Sequence, residues 1–215
     1  MSDTGKINQP IIGVDMSEEG TSEFISIVRK ITSSLNGMSY RCVAVSSATG
    51  NEGKDCVALN LACAAALTGH KTLVVDCDME SRMLSEITGI DSAVGLSDLL
   101  LGVNSDSKVF NRMAPNVDIM FAGTPAENAH GLITGTRMQK MITLLGKKYD
   151  FVILDLPAVC ASENAARTAS FTNGLLMVVG NGICQKSDLK TAAGRLNSCN
   201  ISASWIVMND KANCF

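Results

Sequence analysis

Six apolar runs, each about the length of a β-strand, alternate with helical patterns along this chain, and this alternation constrains its fold most. The runs are RCVAVSS (41–47), KTLVVDCD (71–78), NVDIMFAG (116–123), DFVILDLP (150–157), GLLMVVG (174–180) and ISASWIVMN (201–209). Helical patterns cover residues 21–36, 55–69, 80–88, 96–101, 137–149, 163–170 and 187–198. Apolar strands separated by helices are typical of a parallel sheet that is covered on both faces. We therefore predict a three-layer α/β fold with a mostly parallel sheet.

Length and composition narrow the class of protein further. The first 20 residues are polar and glycine-containing, so we predict a flexible N-terminal arm at 1–20 and a single domain at 21–215. The net charge is −3, so the composition shows no excess of basic residues of the kind that binds nucleic acid. We find neither a signal-peptide core nor an apolar run long enough to span a membrane. These features predict a cytoplasmic protein that does not bind nucleic acid.

The eight cysteines show no C-x-x-C pair, which disfavours a zinc or redox motif. We expect reduced thiols that pack as small apolar groups.

A glycine-rich loop lies between the first apolar run and the next helical pattern. The stretch SSATGNEGKD, residues 46–55, places Gly53 and Lys54 at the start of that helix. Loops of this kind hold phosphates with backbone N–H groups and a lysine, and then supply a Ser or Thr hydroxyl to Mg²⁺. This chain has Asp55 at the hydroxyl position. The predicted nucleotide contacts are Ala48, Thr49, Gly50, Asn51, Glu52, Gly53, Lys54, Asp55 and Cys56.

Acidic residues follow two of the other predicted strands. Asp76 and Asp78 end the second run, and Asp155 ends the fourth. The carboxyl ends of parallel strands form the edge at which ligands bind in open α/β sheets. On an extended chain Asp76 and Asp78 point in opposite directions, so only one can face a ligand unless the chain has already turned. Each acid alone could also be a helix cap, as Asp78 could be for residues 80–88.

These motifs together resemble the cytoplasmic catalytic domain of bacterial tyrosine kinases of exopolysaccharide and capsule synthesis. That family belongs to the P-loop ATPases that include the MinD and ParA proteins. SSATGNEGK is similar to the family's Walker A loop, TLVVDCD to its Walker A′ strand and YDFVILDLP to its Walker B strand. GLSDLLLG (95–102) and AGTPAENAHGLI (122–133) are similar to two further family segments. The resemblance runs from about residue 20 to residue 209 and implies a P-loop fold.

The resemblance also implies ATP and Mg²⁺ as cofactors and gives roles to individual residues. Lys54, Asp76 and Asp78 would be catalytic, since Lys54 would hold the terminal phosphates and the two acids would serve the metal and the attacking hydroxyl. The metal ligands would be Asp55, Asp76 and Asp155. Asn209, which follows the last strand, would read adenine, although it could also be an ordinary turn residue. An inner-membrane polysaccharide co-polymerase would be the partner, and a homo-oligomer is a possible assembly.

Three departures from the family pattern predict an attenuated or regulatory member. Asp55 would lie beside a triphosphate, and two like charges about 4 Å apart cost roughly 4 kcal/mol at an effective dielectric constant near 20. The ring-assembly motif E-x-x-R-x-x-R reads Glu23-x-x-Ser26-x-x-Arg29. The C-terminal tyrosine cluster is absent, and the two tyrosines flank predicted strands.

Two other functions remain open at this point. A MinD- or ParA-type ATPase switch typically has a second lysine early in its loop, where this chain has Thr49. An interaction module without nucleotide is the third possibility. Nucleotide binding with and without Mg²⁺ separates this third reading from the first two.

Overall fold

The protein is represented by a computed structural model, which describes residues 20–90, 92–103, 107–125, 129–201 and 203–210. The predicted arm at 1–20 therefore lies outside the described part of the chain, except for Gly20 before the first helix. The division into an arm and a single domain remains a prediction. Within the described ranges, no helix is long and apolar enough to cross a membrane.

The strands form one mixed sheet that is mostly parallel. Their bounds are β1 Arg41–Ser47, β2 Thr72–Asp76, β3 Asn111–Ala114, β4 Val117–Met120, β5 Phe151–Asp155, β6 Gly174–Gly180 and β7 Ser204–Asn209. The order across the seven-stranded sheet is β3-β4-β2-β5-β1-β6-β7, and only β3 and β4 pair antiparallel. Because β2, β5 and β1 are neighbours and parallel, the loops that follow them open at the same edge of the sheet.

Helices cover both faces of this sheet, which confirms the predicted three-layer fold. Their bounds are α1 Thr21–Ser34, α2 Lys54–Leu67, α3 Met83–Thr88, α4 Leu96–Leu101, α5 Ala129–Ile133, α6 Thr136–Leu145, α7 Glu163–Ala169 and α8 Lys186–Asn197. Successive side chains of β1 point to opposite faces. Val43 and Val45 pack in the core with α1, α2 and α3. Cys42 and Ala44 pack in the second core with α4, α6 and α7.

The sequence patterns missed some short elements and misplaced some ends. β3 and α5 were not predicted. β3 reads NRMA and lies at the edge of the sheet, so its polar residues give no apolar run. The helix predicted at 80–88 begins only at Met83. The helix predicted at 137–149 ends at Leu145 with Gly146 as its C-cap.

The segment GLSDLLLG (95–102) forms hydrogen bonds between the start of α4 and the loop after β4. Asp98 Oδ2 accepts hydrogen bonds from Gly95 N (2.8 Å) and Thr124 N (3.1 Å), and its Oδ1 accepts one from Thr124 Oγ1 (2.8 Å). Leu96 N donates to Phe121 O at 2.8 Å. The backbone at Gly95 therefore runs directly against the end of β4.

Replacing Gly95 by Ala is expected to destabilise the fold by about 2 kcal/mol or more, because the site cannot accept a larger residue. An added Cβ would clash with Phe121 O and lie 2.6 Å from Gly123 N. Urea unfolding measures the loss. Gly194→Ala in α8 is the matched control, since its Cβ would meet no atom within 4 Å and alanine favours a helix interior. Equal stabilities of the two variants would contradict the packing argument.

Candidate functional site

The predicted glycine-rich loop lies between β1 and α2. Gly50 and Gly53 have φ angles of 107° and 77°, in the left-handed region that favours glycine. α2 begins at Lys54 and is 14 residues long. Its first backbone N–H groups and the positive end of its dipole therefore face the space above the loop, an arrangement that favours an anion.

The Lys54 side chain lies inside a group of carboxylates. Its Nζ is 2.9 Å from Asp55 Oδ1, 3.3 Å from Asp78 Oδ2 and 3.3 Å from Asp155 Oδ1. The Lys54 side chain is only 3% exposed, and that of Asp155 is fully buried. Hydrogen bonds from Nζ join Lys54 to Asp55 and to both oxygens of Asp155. Sequence reasoning predicted that these residues lie together, but not that the lysine pairs with Asp55.

Burial and charge oppose each other at these groups. Burial disfavours the ammonium of Lys54, but the carboxylates of Asp155, Asp55 and Asp78 outweigh it and raise the Lys54 pKa above its usual value. Burial also raises the pKa of Asp155 well above its usual value, although Lys54 acts in the opposite direction. The lysine therefore stays charged, while the deepest carboxyl group resists ionisation.

Asp76 and Asp78 both reach this group of residues because β2 ends at Asp76. Asp76 is directly opposite Asp155 in the register of β2 and β5. The chain turns after Asp76, and Asp78 N donates to Asp76 Oδ1 at 3.1 Å. Burial, which is only partly offset by Lys54, raises the pKa of Asp76 to about 7. The turn removes the constraint that only one of the two acids could face a ligand.

The donor set suits Mg²⁺ chemically, because hard cations prefer carboxylate oxygens. Within the described residues, however, no three His, Cys, Asp or Glu side chains are arranged to hold a metal ion. Lys54 Nζ instead lies among the oxygens of Asp55, Asp78 and Asp155. The assignment of Asp55, Asp76 and Asp155 as metal ligands therefore remains a prediction that requires Lys54 to move.

Glu52 supports the loop from within. Its Oε1 accepts hydrogen bonds from Thr49 N (2.7 Å) and Thr49 Oγ1 (2.9 Å), and its Oε2 accepts one from Gly50 N (2.6 Å). Glu52 is fully buried. The side-chain amide of Asn209 donates to Glu52 O at 2.8 Å, and a Cβ at Gly180 would lie 3.2 Å from Glu52 Cα. These contacts hold the glycine-rich loop against the ends of β6 and β7.

Glu52→Ala is expected to weaken nucleotide binding about tenfold and to destabilise the fold by about 2 kcal/mol, because the Thr49 and Gly50 N–H groups lose their acceptors. Fluorescent-nucleotide titration and urea unfolding measure the two effects. Glu52→Gln keeps one acceptor oxygen and should fall between the native chain and Glu52→Ala. Native nucleotide affinity and stability in Glu52→Ala would contradict this role.

The remaining predicted contacts occupy the same edge of the sheet. Ala48 is buried at the end of β1, and Thr49, Gly50 and Asn51 line a cavity of about 350 Å³ with Lys54. The side-chain amide of Asn209 donates to Glu52 O. The role of Asn209 in adenine recognition remains a prediction. The structure also places residues at the cavity that sequence reasoning missed. These include Met79, Ile133, Pro157, Ala158 and Ser162.

Ser162 lines that cavity and has a buried hydroxyl group without a hydrogen-bond partner among the described residues. It is the residue before α7, but its side chain forms no capping hydrogen bond. In sequence, Ser162 is indistinguishable from an ordinary helix cap, so only the structure reveals it.

The structure also shows the state of the cysteines and the surroundings of the two tyrosines. Six of the cysteines in the described part of the chain are free, and Cys42, Cys63 and Cys77 are buried among them, as expected for packed thiols. Cys56, which is half-buried, is disulfide-bonded, so the expectation of a reduced thiol is wrong there. Tyr149 is buried, and its hydroxyl donates to Asp118 Oδ2 at 2.8 Å. The half-buried Tyr40 packs its ring against Gly146.

Comparison with known proteins places this fold and loop in a family. The model of a family described as an AAA domain matches residues 40–172, well over half of the chain. This chain belongs to the AAA domain family. The match covers the loop at Gly53 and Lys54 and the acids at Asp76 and Asp155, so the family assignment and the observed cluster concern the same residues.

The relatives of this AAA-domain chain include bacterial tyrosine kinases, as the sequence resemblance indicated. It is 23% identical over 207 residues, or 95% of its length, to the tyrosine-protein kinase ptk of Acinetobacter johnsonii. It is 27% identical over 88% of its length to the tyrosine-protein kinase YwqD of Bacillus subtilis. The kinase domain of the Escherichia coli tyrosine kinase ETK superposes with a TM-score of 0.84 at 21% identity, covering 96% of this chain and 83% of that domain.

These relatives differ in how much of their length the chain matches. The chain spans 28% of the Acinetobacter protein and 76% of the Bacillus protein. At 21% identity, the ETK superposition shows a shared fold and nothing more. The activity and partners of the longer relatives therefore do not transfer directly to this chain.

Proposed function

We propose that this chain is a nucleotide-binding protein of the bacterial tyrosine-kinase type with an attenuated ATP site. It would act in the cytoplasm, in the assembly or export of a surface polysaccharide. One observation supports the proposal that the ATP site is attenuated. Asp55 replaces the hydroxyl expected to serve Mg²⁺, and its carboxylate lies 2.9 Å from the Nζ of Lys54, the lysine expected to hold the phosphates.

ATP would bind above the loop, with its phosphates at the N-terminus of α2. The backbone of Asn51, Glu52 and Gly53 would cradle the phosphates, and Asn209 would lie near the base. The carboxylates of Asp55, Asp76 and Asp155 would hold Mg²⁺, which would supply neutralising charge for the phosphates. The family match and the carboxylates at one edge of the sheet support this assignment.

For this site to work, Lys54 must exchange its carboxylate partners for phosphate oxygens. Its ammonium would then stabilise charge on the transferred group. Asp76 or Asp78 would orient the attacking hydroxyl, as the family resemblance implies. Attenuation follows because Asp55 competes with phosphate for the same lysine.

The acceptor is proposed to be a group other than Tyr40 or Tyr149. Tyr149 is buried and hydrogen-bonded to Asp118, and Tyr40 packs against Gly146. Phosphorylating either residue would require breaking this packing. An inner-membrane polysaccharide co-polymerase is the proposed partner, and its own tyrosines are candidate acceptors.

A phosphotransfer assay tests this function. The native chain and Asp55→Ser are incubated with radiolabelled ATP, Mg²⁺ and a random copolymer of glutamate and tyrosine. We expect slow tyrosine labelling by the native chain, faster labelling by Asp55→Ser, and none by Lys54→Met. ATP hydrolysis without tyrosine labelling in both active forms would favour a MinD- or ParA-type switch. Undetectable nucleotide binding by every form would favour an interaction module.

A further inference from the structure

An apolar groove lies between α4 and α6, away from the candidate nucleotide site. It encloses about 550 Å³ and is lined by the end of α4, the outer side of α6 and the residues that lead into β3. Leu101 is 47% exposed and Leu144 is 59% exposed, although both are large apolar side chains. Val103, just beyond the groove, is 70% exposed. Exposed apolar side chains that cluster in this way indicate an interaction surface, whereas single exposed apolar residues do not.

Among the residues that the structure describes, the charged ones that line this α4–α6 groove are all basic. They are Arg137, Lys140 and Lys148. All three are exposed, in a chain whose net charge is −3. Arg137 Nη1 donates to Leu100 O at 2.8 Å, which fixes its guanidinium at the rim. Lys148 Nζ lies 5.6 Å from the ring centroid of Phe110. The groove therefore combines an apolar floor with a positive rim.

The groove is independent of the nucleotide site. No described residue lines both this groove and the cavity around Lys54. α4 begins beside the end of β4, through the contact of Leu96 N with Phe121 O, whereas the groove is lined by the C-terminal end of α4. α6 ends at Leu145, shortly before the start of β5 at Phe151. A partner bound in this groove would leave the loop at Gly53 accessible.

We propose that the α4–α6 groove binds an acidic amphipathic helix of a partner protein. Charge complementarity identifies the occupant, because apolar side chains would fill the floor while carboxylates meet Arg137, Lys140 and Lys148. α6 has ten residues, which corresponds to about 15 Å of helix. A partner helix of about three turns matches that length. This inference goes beyond the proposed function, since it requires neither nucleotide nor phosphotransfer.

The concave shape favours a helix over a lipid surface. A membrane-binding face would present Leu101 and Leu144 outward on a protruding surface so that they could enter the bilayer. Here the two residues line a groove together with the more deeply buried Leu100 and Leu145. A side chain inserted from a partner helix can reach that floor, whereas a flat headgroup layer contacts only the rim.

A stapled peptide of about three helical turns, with leucines on one face and glutamates on the other, is the probe. The staple removes much of the ordering cost that a short free peptide would incur. Fluorescence anisotropy should show saturable binding to the native chain. An otherwise identical peptide with glutamine in place of glutamate should bind at least about tenfold more weakly.

Variants of the chain locate the binding surface. The double variant Lys140→Glu, Lys148→Glu is expected to weaken the acidic peptide about tenfold or more. The control is Lys186→Glu with Lys190→Glu, which makes the same charge change on exposed positions of α8 and should leave binding unchanged. Nucleotide affinity should be the same in all three proteins, so failure of this inference is distinguishable from failure of the proposed ATP site.

Three outcomes would overturn the proposal. The acidic peptide could fail to bind, or it could bind no better than its glutamine analogue. The α8 variant could also lose as much affinity as the groove variant, which would indicate a general effect of net charge. Vesicles of anionic phospholipid provide the last test. Binding to vesicles that depends on Lys140 and Lys148, without peptide binding, would assign the groove to a membrane surface instead.

Discussion

Replacing Asp55 by Ser is expected to strengthen ATP binding about 100-fold in the presence of Mg²⁺. The native carboxylate would lie beside the phosphates, and like charges at about 4 Å cost roughly 4 kcal/mol at an effective dielectric constant near 20. A bound cation offsets part of that cost, so a gain of about 2.7 kcal/mol is expected, which corresponds to about 100-fold. Asp55→Ser also frees Lys54 from its 2.9 Å contact with Asp55 Oδ1. Competition against a fluorescent ATP analogue measures the change.

Asp55→Asn separates the effect of charge from the effect of the hydroxyl. Asparagine removes the negative charge but does not restore the Ser or Thr hydroxyl that this loop position normally supplies. We expect Asn to recover part of the affinity in both Mg²⁺ and chelator, and Ser to recover more only in Mg²⁺. If all three proteins bind ATP equally, Asp55 does not attenuate the site.

Replacing Lys54 by Met is expected to reduce the free energy of unfolding by about 3 kcal/mol or more. The side chain is 3% exposed and its Nζ contacts Asp55, Asp78 and Asp155. Removing one partner of a buried ion pair is strongly destabilising, because the other charges remain buried without compensation. Urea unfolding at neutral pH measures this loss. Lys190→Met, at an exposed position of α8, is the control and should change stability little.

The loss in Lys54→Met should shrink as the solution is acidified. The pKa of Asp76 is about 7 against an ordinary value of 3.8, so the folded state holds a proton that the unfolded state has already released. For such a group, stability falls as pH rises between those two values. Removing Lys54 should raise the pKa values of Asp76 and Asp155 further. A loss that is the same at pH values near 5 and 8 would contradict the account of uncompensated carboxylates.

The sequence predicted the fold well wherever strands are apolar throughout. β1, β2, β5 and β6 lie in the interior of the sheet and read as continuous apolar runs, so their patterns were clear. β3 is short, polar and at the edge, and it pairs only with β4. An edge strand makes fewer contacts with the core, so no apolar run marks it in the sequence.

The location of the candidate site was also predictable, but its internal contacts were not. A loop between a strand and a helix, with acids at the ends of parallel strands, already placed Lys54, Asp76 and Asp155 at one edge. The pairing of Lys54 with Asp55 depends on side-chain conformation within a crowded cluster. The turn after Asp76, which brings Asp78 within 3.3 Å of Lys54 Nζ, depends on where β2 ends. Such features follow from packing and charge in three dimensions.

Glu52 illustrates the same limit. The sequence placed it among the nucleotide contacts because it lies within the loop. The structure shows its carboxylate accepting hydrogen bonds from Thr49 and Gly50 and buried beneath the arch. Loop position alone does not distinguish a residue that contacts phosphate from one that holds the backbone in place.

Calorimetric titration of the native chain with ATP, first with saturating Mg²⁺ and then with a chelator, tests the central claim most directly. The claim is that the carboxylates around Lys54 make nucleotide binding weak and strictly metal-dependent. We predict detectable but weak binding in Mg²⁺, with a dissociation constant of about 100 μM or more, and no detectable binding in chelator. Binding at about 1 μM in both conditions would contradict the account, because Lys54 would then leave its carboxylate partners for phosphate without any help from a cation.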